Sequence, residues 1–135
     1  MKACLYCAKP LDNVRSVYCS NKCQNDLQYE SYIKDWKLGL KDGGRGKLTR
    51  NFSGHIIRYL RETDGDGCKI CRWNTRHPLT GRIPLEIDHI DGNSENNRPE
   101  NLRLLCPNCH SLTSNYRNLN GGKGRKWRRL KYIRA

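Results

Sequence analysis

Long apolar runs are missing from this chain. No stretch approaches the roughly 18 apolar residues of a membrane span, and the start, Met1-Lys2-Ala3-Cys4, has no apolar signal-peptide core. A membrane partner is therefore not expected, and a cytoplasmic protein is, in a compartment where thiols stay reduced. Apolar residues are scarce in general, at 36% of 135 positions. A module of roughly fifty residues with so thin a core needs disulfides or a structural metal. Acidic residues are also few, 13 against 26 Lys plus Arg, leaving a formal charge of +13. Such an excess favours a polyanionic partner, and nucleic acid is the commonest one. Internal repeats are absent, apart from the recurrence of paired cysteines.

Those cysteines are the strongest feature present. Eight fall into four tight pairs: Cys4 with Cys7, Cys19 with Cys23, Cys68 with Cys71, and Cys106 with Cys109. A short turn presents two thiolates from one knuckle, and two such pairs complete a tetrahedral zinc site with ligands about 2.3 Å from the ion. Disulfides compete for the same residues but need an oxidising compartment. Eight thiolates around two zinc ions would lower the charge to about +9, still strongly basic.

The pairs divide the chain. Residues 1–38 read as an amino-terminal zinc-finger module. Ser20 caps a helix in which Cys23, Leu27, Ile33 and Trp36 recur at helical spacing until Gly39. The helix is expected to pack on its own zinc site. Residues 39–52, with Gly39, Gly43, Gly44 and Gly46 among Lys41, Arg45, Lys47 and Arg50, read as a basic linker. From 53 to 117 a second domain is expected. It begins with a short helix capped by Ser53 and ending near Asp64–Gly67. A hairpin-like stretch around Pro78–Gly81 follows, then a strand through Leu85–His89, an Asn-rich loop from Asp91 to Asn101, a strand at Leu102–Leu105 and a helix to about Tyr116. Residues 118–135 form a basic tail.

Inside the second domain, Asp88-His89 stands at a strand end, Asn101 opens the next strand, and His110 directly follows a cysteine pair. Singly, each has an ordinary explanation: a turn or capping Asp, an Asx-turn Asn, a packing His. Jointly they form a pattern. Ile87-Asp88-His89-Ile90-Asp91-Gly92-Asn93, followed by Glu100-Asn101-Leu102-Arg103-Leu104-Leu105-Cys106-Pro107-Asn108-Cys109-His110, resembles the HNH endonuclease motif, with its three namesakes at His89, Asn101 and His110. The match runs from residue 68 to about 116. The amino-terminal cysteine module and the Gly-Lys-Gly-Arg tail resemble, more loosely, HNH proteins encoded by bacteriophages.

The resemblance implies a small α+β protein: a ββα-metal HNH core braced by one four-cysteine zinc site, beside the amino-terminal zinc module. It implies a metal-dependent DNA endonuclease in which His89 is the general base, Asp88 and His110 hold one catalytic Mg²⁺, Mn²⁺ or Zn²⁺, and Asn101 pins the loop that aims His89. The products implied are a 3′-hydroxyl and a 5′-phosphate. General chemistry agrees: an imidazole titrating near neutrality can accept a proton from water. Carboxylate with imidazole suits a divalent cation that keeps open positions. Two points stay open. Neighbours on a regular strand face opposite ways, so Asp88 and His89 share a site only if the strand bends or ends there. One helical turn after His110 stands Ser114, so no third protein ligand is evident.

DNA contacts are expected from Arg103 and Arg117 beside the motif and from Lys123, Arg125, Lys126, Arg128 and Arg129 in the tail, with Trp127 able to stack on a base. His55 is expected to lie at the surface or pack, His77 to be solvated, and Glu86 to face solvent or support the strand. The main rival is a zinc-finger DNA-binding protein without turnover, which leaves Asp88, His89 and His110 purposeless. A zinc deaminase would need His-x-Glu and Pro-Cys-x-x-Cys, and neither occurs. A structural zinc protein of a phage packaging complex is a third reading. Packaging or other nucleic-acid-processing proteins are candidate partners, and a phage-encoded chain would act in bacterial host cytoplasm.

Overall fold

The computed structural model describes residues 2–44, 52–116 and 119. Among them the order is α1 (Asn21–Lys37), α2 (Gly54–Asp64), β1 (Glu86–His89), a single 3-10 turn (Pro99–Asn101), β2 (Leu102–Leu105) and α3 (Pro107–Ser111). This is a small α+β fold, as expected. No helix among the described residues is long and apolar enough to cross a membrane.

Each helix starts where a side-chain acceptor meets the otherwise unpaired first-turn N–H groups. Ser20 Oγ accepts from Cys23 N at 3.2 Å and Ser53 Oγ from His55 N at 3.3 Å. Lys34 and Lys37 in the last turn of α1 complement the negative end of its dipole. At α3 a cysteine serves as cap: Cys106 Sγ accepts from Cys109 N at 3.4 Å, and Pro107 supplies the first-turn residue whose missing N–H costs nothing.

α3 stops at Ser111, short of the expected end near Tyr116. Its hydroxyl-bearing side chains account for the difference. Ser111 Oγ donates to Asn108 O at 2.8 Å and Thr113 Oγ1 to His110 O at 2.9 Å, taking carbonyls within the helix.

β1 and β2 form an antiparallel hairpin pairing Glu86 with Leu105, Ile87 with Leu104, Asp88 with Arg103 and His89 with Leu102. Side chains alternate between its faces. One face presents Ile87, Leu102 and Leu104 to a core that also contains Ile56 and Leu60 of α2 and Tyr29, Ile33 and Trp36 of α1. The other carries Leu105 against Cys68 and Cys106. α1 thus does more than cover its own cysteines: three of its side chains complete the core under the hairpin. Polar clamps reinforce that seam. Arg58 of α2 reaches Asp26 of α1 at 3.1 Å and lies 3.9 Å above the Tyr29 ring, while Tyr29 Oη donates to Glu62 at 3.0 Å. Gly44 and Phe52, at either side of the undescribed part of the basic segment, bridge each other.

Candidate active site

Two knuckles of one design carry the first cysteine pair of each cluster. Cys4 N donates to Lys9 O at 2.9 Å and Ala8 N to Cys4 O at 3.0 Å; Cys68 N donates to Trp73 O at 2.9 Å and Arg72 N to Cys68 O at 2.9 Å. Ala8 (φ 61°) and Arg72 (φ 66°), each just after the second cysteine, take the left-handed conformation that closes the turn. The second pair comes from a helix start: Cys19 and Cys23 flank the cap of α1, while Cys106 is itself the cap of α3 and Cys109 lies in its first turn.

The sulfurs converge. Cys4, Cys7, Cys19 and Cys23 place their Sγ atoms within 4.8 Å of one another, as do Cys68, Cys71, Cys106 and Cys109. The Sγ pairs Cys7–Cys19, Cys19–Cys23 and Cys71–Cys106 stand 3.6, 3.5 and 3.7 Å apart. The edge of a tetrahedron around an ion with bonds of about 2.3 Å is about 3.8 Å, whereas a disulfide is about 2.05 Å. All eight cysteines are unbridged.

The thiols titrate as a crowded set with backbone donors aimed inward. Led by the backbone N–H of Cys7, hydrogen bonds draw Cys4 down to about 6, while the Cys23 and Cys7 sulfurs push Cys19 up to about 12. Burial opposes ionisation of Cys68, but the backbone N–H groups of Cys106, Cys71 and Ile70 outweigh it and bring the thiol to about 6. Burial, then the sulfurs of Cys71 and Cys106, push Cys109 up to about 12. One thiolate forms readily and further negative charge is resisted, a donor set that a cation would complete.

The second cluster fixes the neighbouring hairpin face. Glu86 and Asp88, two apart on β1, share a face, and His110 on α3 lies opposite both. His110 Nδ1 hydrogen-bonds Glu86 Oε2. On the other edge of the ring, His110 Nε2 stands 3.9 Å from Asp88 Oδ1, too far for a hydrogen bond and within the span of two metal bonds of about 2.1 Å. Asp88 is only 5% exposed, and its second oxygen accepts from Arg103 Nε at 2.7 Å. Because Glu86 and Asp88 meet opposite ring nitrogens, one ion cannot take all three side chains. Asp88 and His110 are the pair that could hold a cation, and Glu86 the partner that orients the imidazole. Among the described residues, only the two cysteine clusters gather three or more metal-binding side chains this closely; water would fill the rest of the shell.

His89 stands elsewhere. Regular pairing keeps it one residue on from Asp88 and hence on the opposite hairpin face, beside Phe52 (ring centroids 5.6 Å apart), with Nε2 2.7 Å from Asn97 Oδ1. It is also the last residue of β1, at the rim of the hairpin. Asn101, 7% exposed, ties the loop between the strands: its Oδ1 accepts from Asp91 N at 3.0 Å, and its Nδ2 donates to Asp91 Oδ1 at 2.9 Å and Asn96 O at 2.8 Å. Burial raises the Asp91 carboxyl, but donors from Asn96, Asn93 and Asn101 prevail and hold it below the usual carboxylate range. Of the four motif residues, Asp88 and His110 meet, Asn101 ties the intervening loop, and His89 faces away from that pair.

Several partners went unread in the sequence: Glu86 on His110, Arg103 on Asp88, Asn97 on His89, and Asp91 on Asn101. Only the position of Glu86, two before Asp88 on a strand, offered a signal. Arg103, expected at DNA, already spends its Nε on Asp88. Arg117, Lys123, Arg125, Lys126, Arg128 and Arg129, with Trp127, lie outside the described residues. His77, expected to face solvent, is exposed but also caps a turn, its Nδ1 accepting from Leu79 N at 3.1 Å. His55 packs against the rings of Tyr29 and Tyr32 at 5.9 and 5.1 Å, and burial lowers its pKa.

The fold and these side chains define a small α+β module in which a four-cysteine cluster braces a hairpin and helix bearing an Asp–His pair. Residues 79–111 match the family model described as HNH endonuclease. Over 58 residues, 43% of this chain, it is 56% identical to the H-N-H endonuclease F-TflIV of Escherichia phage T5. The matched region spans 23% of that relative's length. No solved structure matches.

Proposed function

We propose that this chain is a metal-dependent DNA endonuclease that hydrolyses phosphodiester bonds. The observation that carries the reading is the buried Asp88 carboxylate facing His110 Nε2 while Glu86 holds His110 Nδ1, inside the segment that matches HNH endonucleases. The relative's printed activity supports it.

Asp88 and His110 would hold one Mg²⁺, Mn²⁺ or Zn²⁺, which supplies Lewis-acid stabilisation of charge on the phosphate and leaving oxygen when bound. Asp88 contributes a buried carboxyl group, held in place by the hydrogen bond from Arg103. Glu86 keeps the Nδ1 proton of His110 in place, so that Nε2 presents its lone pair. His89, one residue from Asp88 and at the strand's end, accepts a proton from water at a phosphate seated around the hairpin rim. Asn101 keeps the Asp91–Asn96 loop closed beneath that rim. The two cysteine clusters hold zinc in a structural role, and Arg103, Arg117 and the basic tail contact phosphates. The site lies in host cytoplasm if the gene is a phage's.

A non-catalytic DNA-binding protein is the second reading, favoured by one observation: His89 shares no described contact with the Asp88–His110 pair. Supercoiled plasmid with Mg²⁺ or Mn²⁺ separates the two. Wild type should nick or linearise it, a chelator should stop it, and His89→Ala should lower the rate by at least about a hundredfold. Equal cleavage by wild type and His89→Ala refutes the base; binding without cleavage by wild type supports the second reading.

A further inference from the structure

The amino-terminal cysteine cluster contributes no side chain to the Asp88–His110 pair, yet the end of its helix meets Asn97, whose side chain reaches His89. α1 runs from Asn21 to Lys37 with Cys19 just before its cap and Cys23 in its first turn, so its start is tied to the cluster and its last turn carries Trp36. Trp36 is 2% exposed, held edge-on to Tyr59. Its indole Nε1 donates to the backbone oxygen of Asn97 at 2.7 Å, across 61 residues of sequence. The side-chain oxygen of the same Asn97 lies 2.7 Å from His89 Nε2. Gly43 (φ +83°) closes over the junction, where a Cβ would come within 3.1 Å of Asn97 Cβ and 3.4 Å of the indole nitrogen. The indole has one donor and no freedom to choose another acceptor; Asn97 is fixed at its backbone and aimed at the imidazole by its side chain.

We propose that Trp36, acting through Asn97, positions the imidazole of His89, so that the amino-terminal cysteine module is part of the catalytic scaffold rather than a separate DNA-gripping finger. An amide oxygen facing Nε2 keeps the proton there and leaves Nδ1 as the basic nitrogen. The inference rests on His89 being the base of the proposed reaction. Trp36 and Asn97 are positioning residues that touch neither DNA nor cation.

The test uses full-length protein and three variants: Trp36→Phe, which keeps the ring and removes the donor, Asn97→Ala, and both together. Each is first checked for wild-type secondary structure and zinc content. Trp36→Phe should lower kcat on plasmid about tenfold and Asn97→Ala about ten- to a hundredfold, with KM unchanged, as expected of a misaimed base. The double variant should match Asn97→Ala alone, because Trp36 acts only through Asn97. In the free protein, without substrate, the imidazole ¹⁵N resonances of His89 should shift in both single variants towards a mixed tautomer. Wild-type kcat in both variants, losses that multiply in the double variant, or unchanged ¹⁵N resonances would overturn the proposal. If His89→Ala cuts as well as wild type, the base assignment fails on its own, and the ¹⁵N resonances alone decide whether Trp36 sets the ring.

Discussion

Glu86 and His110 stand 24 residues apart in sequence and share a hydrogen bond at Nδ1, which turns the opposite ring nitrogen towards Asp88. Outer carboxylates of this kind fix the tautomer and raise the basicity of a metal-binding imidazole. Glu86→Gln should therefore weaken Mn²⁺ binding about ten- to a hundredfold, measured by calorimetry on protein whose cysteine clusters are already filled. Its melting temperature should barely change, because the pair is half-exposed. Unchanged Mn²⁺ affinity would show that Glu86 serves only the strand.

Zinc content tests the cysteine geometry. Each chain should release two zinc ions when its thiols are blocked, measured with a chromogenic chelator. A structural site contributes about 10 to 16 kcal/mol in isolated fingers, comparable with the whole stability of a small domain. Prolonged chelation should thus unfold the protein, with loss of helical circular dichroism. One ion per chain, or none, would contradict the reading.

The shared core predicts one cooperative unit. Trp36, Tyr29 and Ile33 of α1 pack with Ile56, Leu60, Leu102 and Leu104. Trp36→Ala should destabilise by about 3 to 5 kcal/mol and Leu104→Ala by about 2 to 5 kcal/mol, each leaving a single denaturant transition. Two separate transitions in the wild type would show that residues 1–38 fold independently of the rest.

Acid should reveal the clamp between α1 and α2. The hydrogen bond from Lys22, with that from Arg58, holds the Asp26 carboxyl below its usual value, despite burial pushing the other way. A carboxyl lowered in the folded state stabilises fully above its unfolded pKa of about 3.9 and ceases to do so as pH falls through the lower folded value. Asp26→Asn should melt lower than wild type at pH 7, and the gap should close below about pH 4. The comparison is confined to pH values at which both proteins keep their zinc, followed with the same chelator. A gap independent of pH would assign the effect to shape, not charge.

How much of this was legible depended on whether the deciding interaction is local. Cysteine pairs announce themselves because a knuckle spans only a few residues, and Ser20 and Ser53 mark helix starts because a cap reaches only two or three residues along. The β1 and β2 strands followed from alternating apolar residues, Leu85 and Ile87 in one and Leu102 and Leu104 in the other, bounded by loop residues. The end of α3 was missed because the hydroxyls of Ser111 and Thr113 compete for backbone carbonyls, which periodicity does not register. Long-range relations were invisible: nothing in the spacing joins Trp36 to Asn97, or places α1 under the hairpin. The strand geometry was foreseen as a difficulty for Asp88 and His89, and the structure keeps them on opposite faces. Glu86 was expected to face solvent or support the strand, and half of its side chain is exposed; its partner on α3 comes close only once the cysteines fold Cys109 against the hairpin.

In the function proposed above, one cation held by Asp88 and His110 would support cleavage of DNA. Its most direct measurement is the single-turnover nicking rate of supercoiled plasmid across a Mn²⁺ titration, for wild type and Asp88→Ala. Wild type should show saturable, Mn²⁺-dependent nicking, and Asp88→Ala a rate at least about a hundredfold lower at every concentration. Nicking by Asp88→Ala at the wild-type rate with the same Mn²⁺ dependence would contradict it.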